Sequence, residues 1–294
     1  MQPSSNTPAS GEHHAYCADL VREQDYDRYL LTLFVTRDDR MALNALFALN
    51  IELAKTGELV SDPMLAEIRL QWWQESLTEL SEGKVRDHPV CLALADLVQN
   101  RKLDVLKLTE MVEARRISMA GSALKTTDDV VNYAASTAGL LHEMAARCLT
   151  CEPDPASLLA ARQSGTAWAL IGLVRAIGFQ AHLNQHSLPD DMLRDAGIDA
   201  ATIFKGEMTP EIWKVADQML TEADTAMLRS REARAAIDAA VRPILAINCL
   251  SEWYSKRLRQ RRLNPFERAG DEEKSMLGPT AFLGLLWANM TGRY

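Results

Sequence analysis

The sequence predicts an all-α protein folded as a single-domain helical bundle, and three observations carry this. Apolar residues recur at helical spacing from one end of the chain to the other, and no stretch reads as a sheet. Gly (14) and Pro (11) are sparse for 294 residues, which favours long helices. An apolar share of 47% is ample for a buried core and excludes a disordered chain.

Residues 1–15 are expected to form a disordered tail. Its first dozen are rich in Ser, Pro and Thr, without the apolar core of a signal peptide, and His13 and His14 fall inside it. Residues 16–294 are expected to form the domain. The first helical stretch, 16–36, is broken at Asp25-Tyr26-Asp27. Stretch 40–54 is almost continuously apolar, as in a helix buried on most sides. Asp62-Pro63 pairs an N-cap with Pro at the first helical position, and Gly83 follows the end of that helix. Further helices are expected over 92–98, 105–117, 130–149, 158–181, 212–237, 243–258 and 276–290. Asp128-Asp129 suits a helix start. Gly165, Gly172 and Gly178 inside one helix point to close packing or to a ligand near the backbone.

A net charge of -8 argues against a nucleic-acid partner. Five dispersed cysteines suggest reduced thiols in a cytoplasmic setting, and the lone Cys148-x-x-Cys151 lacks a second pair for zinc. His182 and His186 stand one turn apart without a third ligand. No apolar run reaches the roughly 18 residues of a membrane span. The one basic run, Lys256, Arg257, Arg259, Arg261 and Arg262, follows Trp253 and Tyr254 at a helix end. It reads either as cations favoured by the helix dipole or as a contact with an anionic membrane, with the aromatic pair at interfacial depth.

Several segments recur in a telling order: Asp25-Tyr26-Asp27-Arg28-Tyr29-Leu30, Ala45-Leu46-Phe47-Ala48-Leu49, Glu67-Ile68-Arg69-Leu70-Gln71-Trp72-Trp73, His88-Pro89-Val90, Tyr133 with Ala138-Gly139, Gly165 through Arg175 to Leu188-Pro189, and Arg262-Leu263-Asn264-Pro265-Phe266. Together they resemble the squalene/phytoene synthase family. The resemblance implies an isoprenoid-synthase helical bundle around a central cavity, with two aspartate-rich motifs holding Mg²⁺ and diphosphate. At the implied positions of the first motif this chain has Ala54, Lys55 and Glu58, and at those of the second Ala176 and Gln180. Only Glu58 keeps a carboxylate. Glu52 is expected to pair with Lys55, one turn on.

Asn50-Ile51-Glu52-Leu53-Ala54 is similar to a non-catalytic branch of the family that assists assembly of respiratory complex I. That resemblance implies an assembly or binding role, with a respiratory-complex subunit or an isoprenoid-like lipid as partner. With those carboxylates gone no cofactor is expected, and the dispersed thiols and the basic run lead to the expectation of a cytoplasmic location with peripheral contact at the inner membrane. The rival expectation is an active Mg²⁺-dependent prenyltransferase condensing two prenyl diphosphates. Arg69, Trp72, Trp73, Tyr133 and Arg175 are the candidate ligand-binding residues. For Arg69, Trp72 and Trp73 a cavity wall competes with plain helix packing. For Arg175 an anion site competes with a structural ion pair.

Overall fold

The computed structural model describes residues 11–59, 63–101, 103–119, 124–150, 152–232, 234–261, 264–267 and 279–294. Among them every regular element is a helix, and no helix is long and apolar enough to cross a membrane. The helices gather into two compact units, Met1–Thr109 and Glu110–Tyr294.

The first unit comprises α1 (Glu12–Gln24), α2 (Tyr26–Thr32), α3 (Arg37–Leu59), α4 (Pro63–Ser81), α5 (Pro89–Arg101) and the start of α6 (Lys107–Met119). Helix α1 begins inside the stretch expected to be a disordered tail, and His13 is buried at 8% exposure. The break between α1 and α2 falls at Asp25, whose carboxylate accepts the Arg28 amide at 3.3 Å and its guanidinium at 2.6 Å. Helix α3 is the core element: Ala42, Leu43 and every residue from 45 to 49 are buried, so it is covered on all sides. It packs on α1, α2, α4 and α5. Helix α4 buries one stripe, Ala66, Leu70, Trp73, Leu77 and Leu80, at three- and four-residue spacing. Its end is a Schellman motif. Gly83 sits at φ +81°, its amide bonds the Leu80 carbonyl at 3.0 Å, and the Lys84 amide bonds that of Glu79 at 2.9 Å. Asp62, the expected N-cap, lies outside the described residues.

The second unit continues with α7 (Thr127–Ala134), a π-helical turn (Ala135–Gly139), α8 (Leu140–Leu149), α9 (Pro155–Arg175), α10 (Ile177–His182), α11 (Asp190–Ala196), α12 (Ala200–Ile203), α13 (Pro210–Arg231), α14 (Arg242–Leu245), α15 (Ile247–Arg259) and α16 (Pro279–Thr291). Asp128-Asp129 serve a helix start, as expected. Thr126 and Asp129 form a reciprocal capping box, and the Thr126 hydrogen bond holds the Asp129 carboxyl below its usual range. Helix α9 is the hub, packing against α7, the π turn, α8, α13 and α15. Asn248 pins it to two neighbours, donating to Ser164 Oγ at 3.0 Å and Ser230 Oγ at 2.8 Å in the buried core.

Four expected helices are interrupted, 212–237 among them, where α13 ends at Arg231 and a 3₁₀ turn covers Arg234–Ala236. Stretch 130–149 carries the π turn at its middle. There Gly139 and Gly165 let two backbones meet, since a Cβ on Gly165 would stand 2.2 Å from the Ala138 carbonyl oxygen. Stretch 158–181 breaks at Ala176, and the Pro265–Phe266 backbone presses on Gly178 just beyond. Stretch 243–258 breaks at Ala246.

Candidate functional site

The residues at the implied first motif stand on the last turns of α3. Glu52 is buried at 7% exposure. Its carboxylate accepts the Lys55 ammonium at 2.9 Å, the expected pair, and the Arg69 guanidinium stands 3.8 Å from its other oxygen. Two cations therefore face one anion. Ala54 and Lys55 are half-buried and offer no anionic oxygen; the Glu58 side chain lies outside the described residues.

Behind this pair, His88 closes an aromatic cluster, its ring centroid 5.6 Å from Trp72 and 5.2 Å from Trp73. Burial lowers the His88 pKa; Glu52 pulls it up and Lys55 pushes it down. Trp73 is core, while half-buried Trp72 lies under Arg86 at 5.4 Å. Arg86 is itself held by Glu79 at 2.8 Å and Glu75 at 3.0 Å. Both tryptophans are thus engaged in packing, and Arg69 reaches Glu52.

The second-motif residues occupy the α9–α10 junction. Arg175 stacks on the buried Tyr254 ring at 3.8 Å and lies 5.9 Å from Trp168. Ala176 is the break itself, and Gln180 donates to Ser187 Oγ at 2.8 Å while its own amide oxygen is buried without a partner. A Cβ on Gly172 would meet nothing within 4 Å, so there is open space one turn before Arg175. Half-buried Tyr133 stands on α7, its carbonyl accepting the Thr137 hydroxyl at 2.8 Å in the π turn. Among the described residues these positions supply no carboxylate. Magnesium asks for hard anionic oxygens, and an ammonium, two methyl side chains and an amide do not fit it.

Glu143 was not legible as special in the sequence. It is buried on α8 between Arg147 at 2.9 Å and Arg162 at 3.0 Å. Burial alone would raise its pKa, yet the two guanidiniums bring it below the usual range. An acid on one helix and an Arg on another, 19 residues apart, give no local spacing signal.

The basic run ends α15. Arg257 stacks on Trp253 at 4.1 Å, and Arg261 lies 5.7 Å from Trp213. Arg259 bridges Asp217 at 2.8 Å and Asp224 at 2.7 Å, so its charge is matched by α13. Lys256 is exposed, and Arg262 lies outside the described residues. Tyr254, read from sequence as interfacial, is buried at 2% exposure because its ring is the platform under Arg175. An exposed apolar stripe lies instead on α16. Phe282, Leu283, Leu286, Trp287 and Met290 turn to solvent there, while Leu285 and Ala288 turn inward. His182 and His186 each bond a backbone carbonyl, of Gly178 at 2.7 Å and of Leu188 at 3.1 Å, and form no metal set among the described residues.

Residues 21–273 match the family model for squalene/phytoene synthase. NADH dehydrogenase (ubiquinone) complex I assembly factor 6 of Mus musculus is 22% identical over 97% of this chain and 85% of its own length. Phytoene synthase 1, chloroplastic, of Arabidopsis thaliana is 26% identical over 83% of this chain, which spans just over half (56%) of that enzyme. A crystal structure of a dehydrosqualene synthase superposes with a TM-score of 0.80 at 18% identity, covering 96% of both chains. The helical architecture is therefore that of isoprenoid synthases. The matched span, most of the chain, settles its kinship: it belongs to the squalene/phytoene synthase family.

Proposed function

We propose that this chain is a non-catalytic member of the family that works by binding, in the assembly of respiratory complex I. The observation that carries the reading is the Lys55 ammonium on Glu52, at the position where the family's first motif would gather magnesium. A fixed cation there opposes a divalent ion electrostatically. At the second motif's positions, Ala176 and Gln180 carry no negative charge. The assembly-factor relatives support the role, since they align over more of their own length than the phytoene synthase does. The partner is a respiratory-complex subunit, with an isoprenoid-like lipid as a further ligand. No cofactor is required. Peripheral contact at the inner membrane would use the α16 stripe and the cations Lys256 and Arg257.

The second reading, a Mg²⁺-dependent head-to-head prenyltransferase, draws on the phytoene synthase relatives and on the retained Arg175. The two are separated by incubation with farnesyl or geranylgeranyl diphosphate and Mg²⁺. We expect pyrophosphate release no faster than the protein-free blank. Turnover that disappears in Glu58→Gln would reject the non-catalytic reading. Recovery of respiratory-complex subunits after cross-linking in membranes is expected, and failure to recover any would count against the assembly role.

A further inference from the structure

Helix α1 brings together residues that neither the family motifs nor the proposed function uses. In its first turn, His13 and His14 both direct Nε2 at the same oxygen of Asp96 on α5, each at 2.9 Å. Helices α1 and α5 pack directly against each other. The two imidazoles are tilted 45° to one another with centroids 4.4 Å apart, so they converge without stacking. Among the described residues this is the one group of three side chains with ligand atoms all within 4.8 Å.

A hydrogen-bonded trio alone would explain the contacts, but it leaves two features over. The Nδ1 atoms of both rings are buried without a hydrogen-bond partner. If the Nε2 atoms carry the protons, two buried lone pairs are orphaned. If the protons sit on Nδ1, two N–H groups are orphaned and both Nε2 lone pairs point at one place. Each tautomer strands one atom per ring, so freeing the Nε2 lone pairs costs only the two bonds to Asp96, which a metal ion would replace.

We propose that His13, His14 and Asp96 form a binding site for a borderline divalent transition-metal cation of the Zn²⁺ class, clamping α1 to α5. Two imidazole nitrogens and one carboxylate oxygen are a donor set for zinc rather than magnesium. Donors 2.9 Å apart subtend about 90° at an ion with bonds of roughly 2.0–2.1 Å. Opening those separations to about 3.4 Å gives the tetrahedral angle. Asp96 can make that move because its side chain is 41% exposed, and the same opening admits water as a fourth ligand. The site lies on different helices from the family's motif positions.

The test uses the full chain without an affinity tag, stripped with a chelator and titrated with ZnSO₄ by calorimetry. We expect saturation at one equivalent and a melting temperature raised by about 5 °C at a hundredfold excess over Kd. MgCl₂ should give neither effect. Asp96→Asn and His14→Gln should each weaken binding by at least about 100-fold, with the helical circular dichroism retained. X-ray absorption on the zinc-loaded wild-type protein needs no variant and should report two imidazoles with oxygen. Absence of saturable binding, undiminished affinity in Asp96→Asn and His14→Gln, or a sulfur-dominated coordination shell would each overturn the site.

Discussion

Lys55 and Glu52 form a pair whose consequence is measurable at a single neighbouring ring. The His88 pKa is depressed mainly by burial, and Lys55 adds to the depression. In Lys55→Met the His88 pKa should therefore rise, and in Glu52→Gln it should fall, as followed by NMR titration of the imidazole. Lys55→Met should also cost about 1–2 kcal/mol in urea unfolding, because among the described residues Glu52 then keeps Arg69 alone, at 3.8 Å. An unmoved His88 would mean that the pair does not reach the aromatic cluster. The three-residue spacing of Glu52 and Lys55 made their pairing readable in the sequence. The role of Arg175 was not, because its partner Tyr254 lies on a helix nearly 80 residues away.

Helix α9 and its continuation hold three glycines that look alike in sequence and differ in three dimensions. A methyl on Gly165 would lie 2.2 Å from the Ala138 carbonyl oxygen, and one on Gly178 equally close to that of Pro265. At Gly172 it would meet nothing. Gly165→Ala and Gly178→Ala should each destabilise by about 1–3 kcal/mol, whereas Gly172→Ala should stabilise by about 0.5–1 kcal/mol in chemical denaturation. Equal effects at all three would contradict the packing. The glycines signalled close approach, but which of them touches backbone depends on crossings that periodicity does not encode. The helix breaks at Ala176 and Ala246 were hidden for the same reason. Neither alanine discourages a helix, and tertiary contacts decide.

Glu143 belongs to this scale too, since it ties α8 to α9. Its depressed pKa means that its stabilising contribution is present above the unfolded carboxyl value, about 4.3, and is lost as pH falls through the folded value. Glu143→Gln should lose about 2–3 kcal/mol at pH 7, discounted for Arg147 and Arg162, each about one-third exposed. The difference from wild type should shrink on acidification below about pH 4, as read from melting temperatures.

For the molecule as a whole, the kinship was legible because family residues are scattered over nearly its full length, and order and spacing survive substitution. The site was only half legible. The sequence showed which carboxylates are gone and paired Glu52 with Lys55, while the approach of Arg69 to Glu52 and the burial of His13 emerge only in three dimensions. Tyr254, expected at interfacial depth beside the basic run, is buried, and the exposed apolar stripe lies on α16. Binding to vesicles containing anionic phospholipid should therefore fall at least about tenfold in flotation for Leu283→Ser with Trp287→Ser. Neutralising Lys256 and Arg257 should weaken binding as well, by on the order of 1 kcal/mol per charge, in a salt-dependent way. Flotation unaffected by the α16 pair would remove that face from membrane contact.

The π turn at Ala135–Gly139 has a geometric corollary. A wide turn is equivalent to one residue added to a regular helix, and each residue turns an α-helix by about 100°. Regularising this segment to α-helix with every residue kept would tidy the ladder of backbone bonds while swinging everything downstream by about 100° around the axis. Glu143 would then be carried away from Arg162, so the irregularity is what aims that acid at its partner on the adjoining helix.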